Sequence, residues 1–154
     1  MPFITRIEAR AYARATEILE RVTSSVLALF PEDVKSRVKL STINAEGLVG
    51  DMISIITAVF ENKDSCVAVF DYIFSQLDKM SRRALQISLE LRVDEHCVLF
   101  LRFDKQAAFL GKIRLIDEPD VISVRFHFME YPRCERNDAI LFIEERLQIA
   151  GGLD

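Results

Sequence analysis

Apolar and polar residues alternate from the start of the chain. Phe3, Ile7, Ala9, Ala11 and Ala13 fall on one side; Arg6, Glu8, Arg10 and Tyr12 fall on the other. Period two predicts a strand with one packed face and one polar face. The period then lengthens: Ile18, Leu19, Val22, Val26, Leu29 and Phe30 recur at helical spacing, with Thr16 as the expected cap and Pro31 as the stop. Residues 37–45 alternate again, setting Val38, Leu40 and Thr42 against Arg37, Lys39 and Ser41. Gly47, Gly50 and Asp51 read as the loop to an apolar strand over 52–60, so the two strands should form an antiparallel hairpin.

Val67, Phe70, Ile73, Phe74 and Leu77 predict a helix capped by Ser65, and Ser81 opens a further short helix through Leu85 and Leu89. The stretch 96–103, almost wholly apolar from Cys97 onwards, reads as a buried central strand that ends in Asp104-Lys105-Gln106. A helical turn over 105–110 should stop at Gly111, whose missing Cβ suits a left-handed cap. Residues 112–115 read as a brief edge strand and Asp117-Glu118-Pro119-Asp120 as a turn. From 121 to 128, Val121, Ser123, Arg125 and His127 oppose Ile122, Val124, Phe126 and Phe128. Pro132 precedes a last helix with Ala139, Ile140, Phe142, Ile143 and Leu147 as its apolar face. A parallel sheet covered on both sides would show continuous apolar runs, whereas these strands keep a polar face. The predicted architecture is therefore α+β: a single domain, 1–154, with a mainly antiparallel sheet and helices packed on one face.

Composition changes this picture little. A chain of 154 residues, half of them hydrophobic, can bury a core of its own, and five glycines with four prolines leave no low-complexity tract. No apolar run approaches the roughly 18 residues that a membrane span needs. The first residues lack the marks of a signal peptide, so a cytoplasmic location is expected. Cys66, Cys97 and Cys134 are far apart and form no C-x-x-C pair. They read as small buried hydrophobes with free thiols in a reducing compartment. A zinc site of Cys97 with His96 or His127 would lack the usual ligand spacing, and neither metal nor cofactor is expected.

Charge changes it more. A net charge of −4 is the opposite of the basic footprint of most nucleic-acid binders, so any RNA surface must be a local patch. The polar face of the sheet offers one, with Arg6, Arg10 and Tyr12 from the first strand, Arg37 and Lys39 from the second, and Arg125 and His127 from the late one. Cations beside an aromatic ring supply charge for phosphates and a flat surface for a base. The same pattern also suits a solvated or dimer-forming face. The Asp104-Lys105-Gln106 junction is a second candidate, able to orient a phosphate, a ribose hydroxyl or a base edge, or simply to cap a short helix. No catalytic constellation stands out. Gly47-Leu48-Val49-Gly50-Asp51 is not a phosphate loop, no serine or cysteine sits in a nucleophile elbow, and Asp117, Glu118 and Asp120 read as a solvated turn rather than a Mg²⁺ site.

Three blocks carry a resemblance. They are Arg10-Ala11-Tyr12-Ala13-Arg14-Ala15-Thr16-Glu17; Arg102-Phe103-Asp104-Lys105-Gln106-Ala107-Ala108 through Gly111 and Arg114-Leu115; and Val124-Arg125-Phe126 followed by Tyr131-Pro132 and the closing helix. In this order the chain resembles the predicted exosome-associated RNA-binding proteins of archaea. The resemblance implies an α+β fold similar to the large-subunit ribosomal protein that contacts 5S RNA. It departs from the family pattern at three places. Arg14 stands where a histidine is frequent, Ile18 where an acid is common, and Gly50-Asp51-Met52 where the loop often has Gly-Asn-Pro.

The leading reading is a non-catalytic RNA-binding accessory protein associated with RNA processing or the exosome. Arg10, Arg14, Arg102, Lys105, Arg114 and Arg125 would neutralise phosphates, Tyr12 would stack a base, and Asp104 and Gln106 would orient Lys105 or read a hydroxyl. Lys105 is expected to project from its turn close to Arg102 or Arg114, with Asp104 holding the turn. The rival is a protein-interaction or scaffold subunit, a homodimer or a partner in an RNA-processing complex, without direct RNA contact.

Overall fold

The computed structural model describes residues 1–47 and 50–151. The middle of the predicted loop, residues 48 and 49, lies outside the described residues. Strand β1 (Phe3–Ala13) is the axis of the molecule, paired antiparallel with β3 (Met52–Phe60) on one side and β5 (Ile122–Met129) on the other. β2 (Lys39–Glu46) extends the sheet beyond β3, and β4 (Val98–Phe103) extends it beyond β5, giving five antiparallel strands in the order β2-β3-β1-β5-β4. The predicted α+β class and antiparallel sheet are what the structure shows.

The helices form one layer. They are α1 (Leu19–Leu27), α2 (Lys63–Gln76), α3 (Lys79–Arg92), the short α4 (Lys105–Phe109) and α5 (Arg136–Ala150). α1 and α2 lie on β1, α3 lies beside β4, and α5 packs on α2 and α3. Between sheet and helices the core is aromatic: the Phe70 ring sits 4.0 Å from Phe74, 5.3 Å from Phe126 and 6.0 Å from Phe142. Aromatic clusters of this kind bury large apolar area and pack edge to face, which accounts for a firm sheet under the helices.

Several local readings are corrected. Pairing steps from Ile4 opposite Phe128 to Arg6 opposite His127, so Thr5 is an extra residue in β1. This bulge reverses the alternation, and Ile4 rather than Phe3 joins Ile7 in the core. The stretch 96–103 is an edge strand and not a central one. Its apolar look misleads because Phe100 and Arg102 face outwards. The segment after α4 shields that edge: Asp104 N donates to Arg114 O and Ile116 N to Arg102 O. β2 begins at Lys39, because Glu32–Arg37 winds as a 3-10 turn that lays the Arg37 guanidinium over the Phe60 ring, 5.8 Å from its centroid.

Caps shift too. Thr16 does not cap α1, whose N-cap Ile18 makes no side-chain bond. Asn62 rather than Ser65 caps α2, accepting from Asp64 N and Ser65 N. Asp78 caps the 14-residue α3 and accepts from Ser81 N, so the helix starts before the serine expected to open it. Finally, the sulfurs of Cys97 and Cys134 form a disulfide, which corrects the expectation of three free thiols; only Cys66 is free. Burial first, then the nearby Glu61 carboxylate, push the Cys66 thiol up to about 11.

Candidate nucleic-acid interface

Side chains at alternate positions of each strand point away from the helices, and the strand register fixes who stands beside whom. Arg10 lies opposite Thr57 on one side and Ser123 on the other, Ser41 lies opposite Thr57, and Arg102 lies opposite Ser123. The result is one row across all five strands: Ser41, Thr57, Arg10, Ser123, Arg102. With strands about 4.8 Å apart, the backbones of Arg10 and Arg102 are roughly 10 Å apart across a single serine. Next to it runs a second row, Lys39, Val59, Glu8, Arg125 and Phe100. The Arg125 guanidinium covers the Phe100 ring at 5.3 Å, a cation–π contact that leaves the guanidinium edge free to donate. Tyr12 stands one step along β1 from Arg10 on the same face and is 43% exposed.

These cations differ in what they hold. Among the described residues, Arg10, Arg14 and Arg102 form no ion pair, and Arg125 has only its ring contact. Towards the other end of β1 the charges are matched: Glu8 accepts from His127 Nε2 at 2.9 Å and lies 3.6 Å from Arg6 Nε. The open face is therefore graded. It is basic around Arg10, Arg102 and Arg125, neutralised at Arg6 and His127, and apolar towards Ile43, Ile53 and Ile55 of the β2–β3 hairpin.

Arg14 lies past the end of β1, exposed, with its backbone N–H bound to Glu17 Oε1. The junction after β4 is built differently. Asp104 caps α4, accepting from Gln106 N at 2.9 Å and Ala107 N at 3.3 Å, while the Gln106 side chain is exposed. Gly111 has φ +81°, the left-handed stop expected of it.

Lys105 does not project near Arg102 or Arg114. It is 8% exposed, and its ammonium donates to Tyr12 O at 2.9 Å and Glu17 Oε2 at 2.9 Å, with Asp120 Oδ1 at 2.7 Å. Three acceptors satisfy all three of its donors. The cause is topological: α4 begins beside the end of β1, so a long side chain at 105 reaches the carbonyl of Tyr12 and draws in both carboxylates. Asp120, expected in a solvated turn, is instead one arm of this cluster. Arg114 turns towards the helix layer, 3.6 Å from Asp78 Oδ2. A cleft of about 690 Å³ opens beside the cluster between α1 and α4, lined by Glu17, Arg21, Asp104, Gln106, Phe109 and Glu118 among others.

The structure thus assembles Arg10, Tyr12, Arg102 and Arg125 on one surface and leaves Lys105, Asp104 and Arg114 off it, Lys105 buried and Arg114 exposed beside Asp78. Phe100 is the member that sequence reasoning missed, whereas Ser123 falls on the polar side of its alternating strand without being a candidate contact. Phe100 hides inside an apolar run, and only the register across β5 reveals that it stands outwards beside Arg125.

A family model described as RNA binding matches residues 6–128. The RNA-binding protein PAB1135 of Pyrococcus abyssi is 32% identical over 127 residues, which cover 82% of either chain. The uncharacterized protein MJ0213 of Methanocaldococcus jannaschii is 30% identical over 128 residues, 81% of this chain and 85% of that one. In three dimensions the chain is similar to the crystal structure of protein AF2318 from Archaeglobus fulgidus, described as DUF54. The TM-score is 0.78 at 26% identity, with 93% of this chain and 99% of that chain covered. The matched span runs from Arg6 to Phe128 and so takes in β4, most of β1 and β5 and every arginine of the open row, and on these grounds the chain belongs to the RNA-binding family.

Proposed function

We propose that this chain is a non-catalytic RNA-binding module that lays a single strand of RNA across its open sheet face and works as a cytoplasmic accessory factor in RNA processing, in company with an exosome-type complex. The observation that carries the proposal is the Arg10–Ser123–Arg102 row, whose arginines form no ion pair among the described residues, beside Arg125 on Phe100. Arg10, Arg102, Arg125 and Arg14 take phosphates, and Tyr12 stacks a base. Lys105 and Asp104 serve by holding the ends of β1 and β4, and Gln106 is left exposed beside them. The expected likeness of fold to the ribosomal protein that contacts 5S RNA belongs to this proposal, as does the exosome partner; both rest on the resemblance of the three sequence blocks.

Titration of labelled single-stranded and duplex RNA at two salt concentrations tests it. Single strands should bind more tightly, and affinity should fall with salt by a slope of about 0.7 per phosphate contacted. Binding that ignores salt, or none at low salt, overturns the reading. Pull-down from a lysate treated with ribonuclease tests the complex: an exosome-type partner held through RNA is lost, and one held by protein contact remains.

A further inference from the structure

Helix α3 carries a feature that RNA binding does not use. Its core side is made by Ser81, Leu85 and Leu89, all buried. On the other side stand Met80, Ala84, Ile87 and Leu91, spaced 4, 3 and 4 residues apart. At 100° per residue this stripe lies about 130° round the helix from the core direction. Met80 is 83% exposed, Ile87 81% and Leu91 91%. Scattered surface apolars are ordinary, but an apolar seam at 3–4 spacing along a whole helix, three of its four members large and exposed, is the pattern of a helix–helix contact. The exposed flank of the seam bears Arg83 and Glu90, seven residues apart, neither with an ion-pair partner among the described residues.

We propose that α3 is a self-association surface on which a second copy of this chain lays its own α3 antiparallel about a two-fold axis. Charge selects this occupant. In an antiparallel pair, seam layers join Met80 to Leu91 and Ala84 to Ile87 of the other copy, and flank positions of the same kind face one another. Arg83 then meets Glu90 of the second copy, and the symmetry repeats the pair. A parallel pair would set Arg83 against the Ser88 side of the seam and leave Glu90 without its complement. The seam is short, about 16 Å from Met80 to Leu91 at 1.5 Å per residue. Such a contact is small beside the roughly 1,600 Å² of a standard interface, so the dimer is weak and concentration-dependent. α3 belongs to the helix layer, so this contact leaves the open sheet face of both copies uncovered.

Sedimentation equilibrium of the nuclease-treated, RNA-free protein over about 10 to 500 µM tests it, a range suited to a weak dimer. The wild-type mass should rise from one chain towards two. Ile87→Asp, at an exposed position that leaves the core untouched, should stay at one chain throughout. Arg83→Glu should raise the dissociation constant roughly tenfold, and the double variant Arg83→Glu/Glu90→Arg should restore it. A wild-type monomer at every concentration overturns the proposal, even if a helix of some other protein binds the seam. So does a dimer that survives Ile87→Asp, or a charge swap that fails to rescue. RNA titration of the Ile87→Asp monomer separates this from the RNA reading, which survives if the monomer still binds.

Discussion

Arg102 and Lys105 stand three residues apart at the same strand-to-helix junction, and the fold treats them in opposite ways. Arg102 leaves the sheet on its open side, where its row contains only Ser123 and Arg10 on the near strands and no carboxylate. Lys105 leaves it at the end of the sheet, where Tyr12 O, Glu17 and Asp120 converge on its ammonium. Both are cations in one continuous motif. One is available to an anion from outside; the other already holds two anions from within. A basic residue in a motif is thus a ligand group only where the fold leaves its charge without an ion pair, as at Arg102, and that is decided by strands distant in sequence.

Removing Lys105 should break this contrast most severely. Lys105→Met leaves Glu17 and Asp120 facing each other without their cation, with side chains 28% and 42% exposed. Solvent relieves part of the repulsion, so the loss should be about 1–3 kcal/mol of folding stability rather than the full cost of a buried broken pair. Urea unfolding measures it, and RNA affinity of the folded fraction should not change. A stable variant with weakened RNA binding would mean that Lys105 contacts RNA after all.

The opposite outcome is expected on the open face. Arg10→Ala/Arg102→Ala removes two cations that support no internal partner, so stability should move by no more than about 0.5 kcal/mol. The slope of log affinity against log salt for single-stranded RNA should fall by about 1.4, two contacts at 0.7 each. If the slope holds while the protein stays folded, phosphates do not cross this row.

Much of this contrast lies beyond what the sequence alone can say. The alternation in β1 and β5 identified the open face and placed Arg10, Tyr12 and Arg125 on it, because period two is a local property of the chain. The sequence is silent on Lys105 because its fate depends on Glu17 and Asp120, 88 and 15 positions away, brought together only when α4 docks on α1 beside the end of β1. The Thr5 bulge was equally hidden: an extra residue leaves no compositional mark, yet it changes which of Phe3 and Ile4 is core. Asp104 and Gly111 were legible for the converse reason, since a cap bonds to its own neighbours. The Cys97–Cys134 disulfide spans 37 residues with no spacing motif to announce it.

Asp104 sharpens the comparison from the other side, since it belongs to the same motif and acts only locally. Asp104→Ala should cost about 0.5–2 kcal/mol through its lost bonds to Gln106 N and Ala107 N. Asp104→Asn keeps an acceptor and should recover most of that. Thermal melts of the two variants decide it. Equal loss in both would show that the negative charge, rather than the cap, is what the junction requires.

The smallest effect concerns Asp78, which joins Arg114 to the seam helix. Its carboxylate caps α3 through Ser81 N at 2.7 Å and lies 3.6 Å from Arg114 Nε. Burial pushes its pKa up, but the Ser81 bonds and the Arg114 guanidinium outweigh that and hold the group below its ordinary 3.8. A carboxylate with a depressed pKa in the folded state contributes stability above its unfolded value, near 4, and loses it as pH falls through the folded value. Its side chain is 46% exposed, so solvent screens most of the gain. Wild type and Asp78→Asn should therefore differ slightly and constantly above about pH 5 and converge as pH falls through the folded value. Chemical denaturation across that range reads the difference, and a gap that widens towards acid would reverse the sign and show the charged form to be disfavoured at this helix start.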